Sequence, residues 1–138
     1  KNFVWPSLNI CHKLIEHGFG NEIKPILKRV EVVPSAHKQD SADSRASVET
    51  HMKTMTCEKP DPMFSPSKIV IVDDVITQGR TSVACYKLLE EHYPDASIEV
   101  FARVRTMSFD EVTQVYKPKL SRVFFYEGSG KTFVNHNL

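Results

Sequence analysis

Residues 68–82 read KIVIVDDVITQGRTS: the apolar run Ile69 to Val72 meets two adjacent aspartates, Asp73 and Asp74, and then a short polar loop holding Gly79 and two threonines. An unalternating run of β-branched residues predicts a strand over Lys68–Asp73 with both faces buried, as in the centre of a parallel sheet. Parallel strands need a crossover, and a helix over Thr81–His92 supplies one. Val83, Ala84, Leu88 and Leu89 form its inward stripe, Lys87, Glu90 and Glu91 face out, and Pro94 lies beyond its end. Two like charges at the end of a buried strand are costly, so a chemical reason for them is required.

The rest of the chain fits around this unit. Asn2 to Trp5 reads as a short strand stopped by Pro6, followed by a helix from Ser7 with Leu8, Cys11, Leu14 and Ile15 at helical spacing, closed by His17 and Gly18. Ile23–Val33 reads as a strand, interrupted near Pro25 and ended by Pro34. Residues 35–50 are polar and serine-rich, and the segment 35–56 is expected to be a flexible loop of the kind that serves as a lid. A short strand is expected within His51–Cys57, then a proline-rich connector. Ser97–Val104 and Ser121–Tyr126 read as strands, and Ser108 with Glu111 forms a capping box opening a helix to about Tyr116. Alternating strands and helices predict one α/β domain over residues 1–138, with a largely parallel central sheet flanked by helices.

The 138 residues suffice for one domain and carry a formal net charge of +1, which gives no global attraction to nucleic acid or an acidic membrane. The three cysteines are odd in number and show no CxxC spacing, which fits a reducing, cytoplasmic setting. Cys85, inside an apolar helical pattern, reads as a packing thiol. No apolar run approaches the roughly 18 residues of a spanning helix. His12, His17, His37, His92 and His136 lack metal-ligand spacing.

In parallel sheets ligands sit where strands turn into helices, which is the position of residues 73–81. Thr77-Gln78-Gly79-Arg80-Thr81 offers backbone N–H groups, a permissive glycine, two hydroxyls and the positive end of a helix, and so reads as a phosphate cradle. It is neither GxxxxGK[ST] nor GxGxxG. Carboxylates near a phosphate repel it unless something lies between. A sugar with vicinal hydroxyls would do so, and a divalent cation would balance the charge. The pattern is that of a pentose 5-phosphate site.

The stretch Ile69 to Thr81 resembles the phosphoribosyl pyrophosphate (PRPP) motif of type I phosphoribosyltransferases. The flanking YPDASIEVFARVRTMS and RASVETH segments are similar to bacterial competence-protein-F-like members, so that the resemblance spans about Val30 to Ser108. It implies the type I phosphoribosyltransferase-like fold with a small hood, and a pentosyltransferase that carries phosphoribosyl from magnesium-PRPP to a nitrogenous acceptor, releasing pyrophosphate. On this resemblance Asp73 and Asp74 contact the ribose hydroxyls, and Val75, Ile76, Thr77, Gln78, Gly79, Arg80 and Thr81 complete the ribose and 5-phosphate site. Mg2+ would arrive on the substrate, with Asp73 and Asp74 as its nearest protein groups. A homodimer is common in that family, although the sequence names no interface.

Members acting on 6-oxopurines usually carry an aspartate where Thr77 stands, and threonine is no acid/base at neutral pH. That disfavours hypoxanthine and guanine as acceptors. Ser7, in a turn after the first strand, is a candidate pyrophosphate contact, with a plain strand-to-helix turn as the alternative. Lys38, Arg45, His51 and Lys53 are cations of the flexible loop. Arg45 is the first choice to stabilise departing pyrophosphate, against a solvated loop charge for each. Arg80 reads equally as a phosphate neighbour or a solvated helix-start residue. Arg103 and Arg105 share a strand face, and Arg105 either reaches the acceptor pocket or pairs with a carboxylate. Gly128, Gly130 and Lys131 read as a flexible turn where a hood would begin. A non-catalytic module binding PRPP or a ribose 5-phosphate nucleotide is the alternative function. Nucleic-acid binding has little support, because no basic patch with interleaved aromatics is present.

Overall fold

The computed structural model describes residues 5–32, 46–58, 63, 65–106 and 120–135. Helix α1 (Pro6–Glu16) opens on a proline at its first position, where a missing N–H costs nothing and φ is already helical. Pro6 therefore starts a helix as well as ending whatever precedes it. The carbonyl of Trp5 accepts from Leu8 and Asn9. At the other end Gly18 takes φ 77°, its N–H donates to Ile15, and that of Phe19 reaches back to Leu14. This double closure needs a left-handed residue, and glycine adopts it without strain.

Strand β1 is confined to Leu27–Arg29 rather than the expected Ile23–Val33, part of which lies outside the described residues. Its antiparallel partner β2 (Met55–Cys57) is itself only three residues long, with Leu27 opposite Cys57 and Arg29 opposite Met55. Beyond that register Val30 and Glu31 both donate to the carbonyl of Thr54, so the ladder closes on a single acceptor. Between the two strands lies α2 (Val48–Lys53), where a loop running into a strand from His51 was expected. The reason is local: the side chain of Ser47 accepts from the Thr50 N–H at 3.1 Å, capping the helix, and Val48 is fully buried beneath it.

Strand β3 (Lys68–Ile76) runs past the two aspartates through Val75 and Ile76, so the acids lie within the strand and not at its end. It pairs in parallel with β4 (Ser97–Arg105), from Lys68 opposite Ser97 to Ile76 opposite Arg105. The crossover is α3 (Arg80–His92). β5 (Arg122–Tyr126) and β6 (Lys131–Asn135) form an antiparallel hairpin, with Gly128 and Gly130 in its turn. β6 had no counterpart in the sequence reading.

The architecture is mixed α/β. Among the described residues, however, parallel pairing is limited to β3 and β4, and the three sheets have two strands each. The expectation of a largely parallel central sheet is corrected accordingly. β3 is also less enclosed than expected: Val70 and Val75 stay 41% and 38% exposed, because β4 is its only strand neighbour among the described residues. The core gathers Cys57, Leu89 and Tyr93 with Ile26, Leu27, Ile69, Ile71 and Ile98. It fixes the lower part of β3 against α3, and α1 lies along β3 as well. The helix expected over residues 108–116 and the strand expected from Asn2 fall outside the described residues, save Trp5.

Candidate functional site

The site follows from the turn that joins β3 to α3. Asp73 and Asp74 are both half-buried. Each folds its carboxylate onto the next residue: the Asp74 N–H donates to Asp73 Oδ1 at 2.9 Å, and the Val75 N–H donates to Asp74 Oδ1 at 3.0 Å. Burial, then the neighbouring Asp74 carboxyl, hold the Asp73 carboxyl above the ordinary carboxylate range. A group in that condition gains from whatever donates hydrogen bonds to it or brings positive charge. Sugar hydroxyls and a divalent cation are both of that kind.

After Ile76 the chain passes through Thr77 and Gln78 to Gly79, which caps α3 with φ 74° and ψ 8°. The Val83 N–H donates to the Gly79 carbonyl at 2.9 Å, and no side chain caps the first turn. The glycine has a second reason for being there. A Cβ at this position would stand 2.9 Å from Cγ1 of Val123, so the space beside it is filled by β5 and not left for a ligand. Gln78 Oε1 and Ser82 Oγ are buried without a hydrogen-bond partner among the described residues, and Ser82 is only 3% exposed. Unsatisfied polar atoms at such a turn suit a polar occupant.

On the flank of this turn Arg29 and His51 meet, with the charge of Arg80 also acting on His51. Arg29, at the end of β1, donates through Nη1 to Thr54 Oγ1 at 3.0 Å, and its Nη2 lies 3.3 Å from His51 Nδ1. His51 Nε2 in turn stands 3.5 Å from Thr81 Oγ1. Arg80 directs Nη1 to the carbonyl of Ala46 at 3.5 Å. Burial first, then the charges of Arg29 and Arg80, lower the pKa of His51. A guanidinium only donates, so Nδ1 accepts from Arg29, and the neutral ring carries its proton on Nε2 toward Thr81. Cys85, one turn beyond Thr81, is buried and pushed up to about 11, mainly by burial and then by the Asp73 carboxylate, with Arg29 acting in the opposite sense. It is the packing thiol expected.

The remaining candidates are dispersed. Ser7 lies in the first turn of α1 and not in a free turn. Lys53 closes α2 and is exposed. Arg105 ends β4 opposite Ile76, half-buried, while Arg103 is exposed on the same strand. Lys38 and Arg45 lie outside the described residues. Arg29 escaped the sequence reading altogether. The signal for it was a cation inside a stretch read as strand, which gains meaning only once β1 is paired with the segment after α2.

Two carboxylates suit a cation that brings its own oxygen ligands. Among the described residues no three His, Cys, Asp or Glu side chains stand together as a metal cage. Among the same residues no helix is long and apolar enough to cross a membrane. No protein-family model matches the chain, and neither a curated protein nor a solved structure does.

Proposed function

We propose that the chain binds magnesium-PRPP and transfers its phosphoribosyl group to a nitrogen nucleophile. The observation that carries this reading is the half-buried pair Asp73 and Asp74 on β3, followed at once by a turn that delivers Gly79 and the N-terminus of α3, which no side chain caps. The carboxylates would accept hydrogen bonds from the ribose hydroxyls, and the 77–81 turn would hold the 5-phosphate at the positive end of the helix. Magnesium would supply charge balance to the pyrophosphate and draw on Asp73 and Asp74.

In the reaction the bond from C1 of the ribose to the pyrophosphate oxygen breaks with its electron pair on pyrophosphate. The acceptor nitrogen bonds to C1 and gives up a proton. The chain contributes position and charge stabilisation at an oxocarbenium-like centre. Arg45, Lys38, Lys53, Ser7 and Arg105 stand as proposed contacts to pyrophosphate or acceptor, and a homodimer in the cytoplasm is proposed on the resemblance alone. Thr77 favours a second reading, a non-catalytic module that binds PRPP or a ribose 5-phosphate nucleotide. The 77–81 turn has no side chain able to exchange a proton with a purine ring near neutrality.

Calorimetric titration of magnesium-PRPP into the protein, beside Asp73→Asn/Asp74→Asn, tests the proposal. Saturable binding that weakens at least tenfold in the variant is expected, and pyrophosphate release with a nitrogenous base then separates enzyme from module. A folded wild-type protein that binds neither PRPP nor a ribose 5-phosphate nucleotide would overturn both readings.

A further inference from the structure

The β5–β6 hairpin turns one face to α3 and leaves the other open. On the inner face Val123 fills the space beside Gly79, and Phe125 lies under the Lys87 ammonium at 4.6 Å. Side chains alternate along a strand, so the outer face carries Arg122, Phe124 and Tyr126 from β5 with Lys131 and Phe133 from β6. All five are exposed, the rings of Phe124, Tyr126 and Phe133 by 42%, 57% and 59%. Phe124 stands opposite Phe133, and Tyr126 opposite Lys131. The two phenyl rings are thus bracketed by Arg122 at one end and by Tyr126 with Lys131 at the other. Neither strand shows this by itself, because the face is assembled by the register between β5 and β6, and β6 had no counterpart in the sequence reading. Among the described residues no carboxylate lies within ion-pair distance of Arg122 or Lys131. Glu127 in the hairpin turn pairs with Lys87 of α3 at 2.8 Å, and Glu49 of α2 comes up to Gly130. Among its own residues the outer face carries no acid.

We propose that this outer face binds single-stranded nucleic acid, with bases stacked on Phe124, Phe133 and Tyr126 and phosphates met by Arg122 and Lys131. Open ring faces accept any base, and a cation at each end of the rings matches a backbone that runs across them. A duplex hides its base faces and so does not fit. A second copy laid on the same face would set cations against cations with no carboxylate to meet them. The formal net charge of +1 means that the rest of the molecule adds little attraction, so affinity rests on this face. The inner face, not this one, meets the turn at Gly79, so the inference stands apart from the pentose-phosphate reading.

The probe is a fluorescently labelled oligouridylate of about ten nucleotides without a terminal phosphate, followed by anisotropy near neutral pH in about 50 mM salt. Saturable binding is expected, weakening as salt rises and about tenfold tighter than to a duplex of the same length. Phe124→Leu/Phe133→Leu keeps the face apolar but removes two ring faces, and should weaken binding by about tenfold, whereas Phe124→Tyr/Phe133→Tyr should retain it. Arg122→Gln/Lys131→Gln should weaken binding and flatten its salt dependence, and Asp73→Asn/Asp74→Asn should leave it unchanged. Circular dichroism establishes that each variant is folded, and the glutamine pair keeps the test decisive should the leucine pair unfold. The proposal fails if wild-type protein shows no saturable binding, if the duplex binds as well, or if either folded pair binds as tightly as wild type. It fails equally if the leucine pair turns a dimer into a monomer in sedimentation and leaves the oligonucleotide unaffected, which would assign the face to a second copy.

Discussion

Gly79 carries two constraints that act through different physics. Its φ of 74° penalises any side chain by about 1 to 2 kcal/mol, whatever the surroundings. A Cβ would also press on Val123 at 2.9 Å, and overpacking of that kind adds on the order of 1 to 3 kcal/mol. Gly79→Ala is expected to lower stability by about 2 to 4 kcal/mol in urea denaturation. In Gly79→Ala/Val123→Ala the steric part should be relieved and the backbone part should remain, giving a favourable coupling in the double-mutant cycle. The sequence marked this glycine as the place where the chain comes close to a ligand, whereas the structure gives it a left-handed cap and fills the space beside it with Val123. The contact with Val123 was not legible, because that packing is long-range and no local pattern encodes it. Asp73 behaves similarly. Its place beside a second acid is plain in the sequence, but its burial depends on the fold. Because its folded pKa is raised, the native state holds more protons than the unfolded chain between the ordinary carboxylate value and the raised one. Stability of the ligand-free protein should therefore fall as pH rises through that window. Asp73→Asn should flatten the dependence, measured as urea midpoints between about pH 4 and pH 7.

Helix α2 shows how a short element is held by a few contacts. A six-residue helix has little intrinsic stability, so its cap and its buried residue matter more than propensity. Ser47→Ala removes the acceptor for the Thr50 N–H and is expected to cost about 1 kcal/mol by thermal denaturation, with Ser47→Asp close to wild type. His51 reaches Arg29 and Thr81 from this helix, so the same substitution should loosen both contacts. The sequence placed a loop here because SADSRASVET lacks apolar periodicity and a single buried valine makes no pattern. β3 was legible as an unbroken apolar run and α3 as a long stretch with one apolar stripe. β1 was overestimated for the opposite reason: its residues favour a strand over a longer stretch than the three-residue partner allows.

At the scale of the molecule the core is small and centred on α3. Leu89 is 1% exposed and packs with Cys57 and Tyr93, among residues of β1, β3 and β4. Leu89→Ala should cost about 3 kcal/mol or more, read as a lower urea midpoint by far-ultraviolet circular dichroism. The α/β character followed from the order of elements in the sequence, and the parallel β3–β4 pair from the apolar run. The separation into two-stranded sheets did not follow, since strand neighbours are chosen by contacts remote in sequence. The β5–β6 hairpin meets α3 at the Gly79–Val123 contact and through Lys87, which pairs with Glu127 at 2.8 Å and stands 4.6 Å from the centre of the Phe125 ring. Opening the hairpin therefore removes the wall behind the turn. By reciprocity, an occupant that rigidifies residues 77–81 slows hydrogen exchange at the amides of Arg122–Tyr126, so a segment that does not touch it records whether the turn is filled.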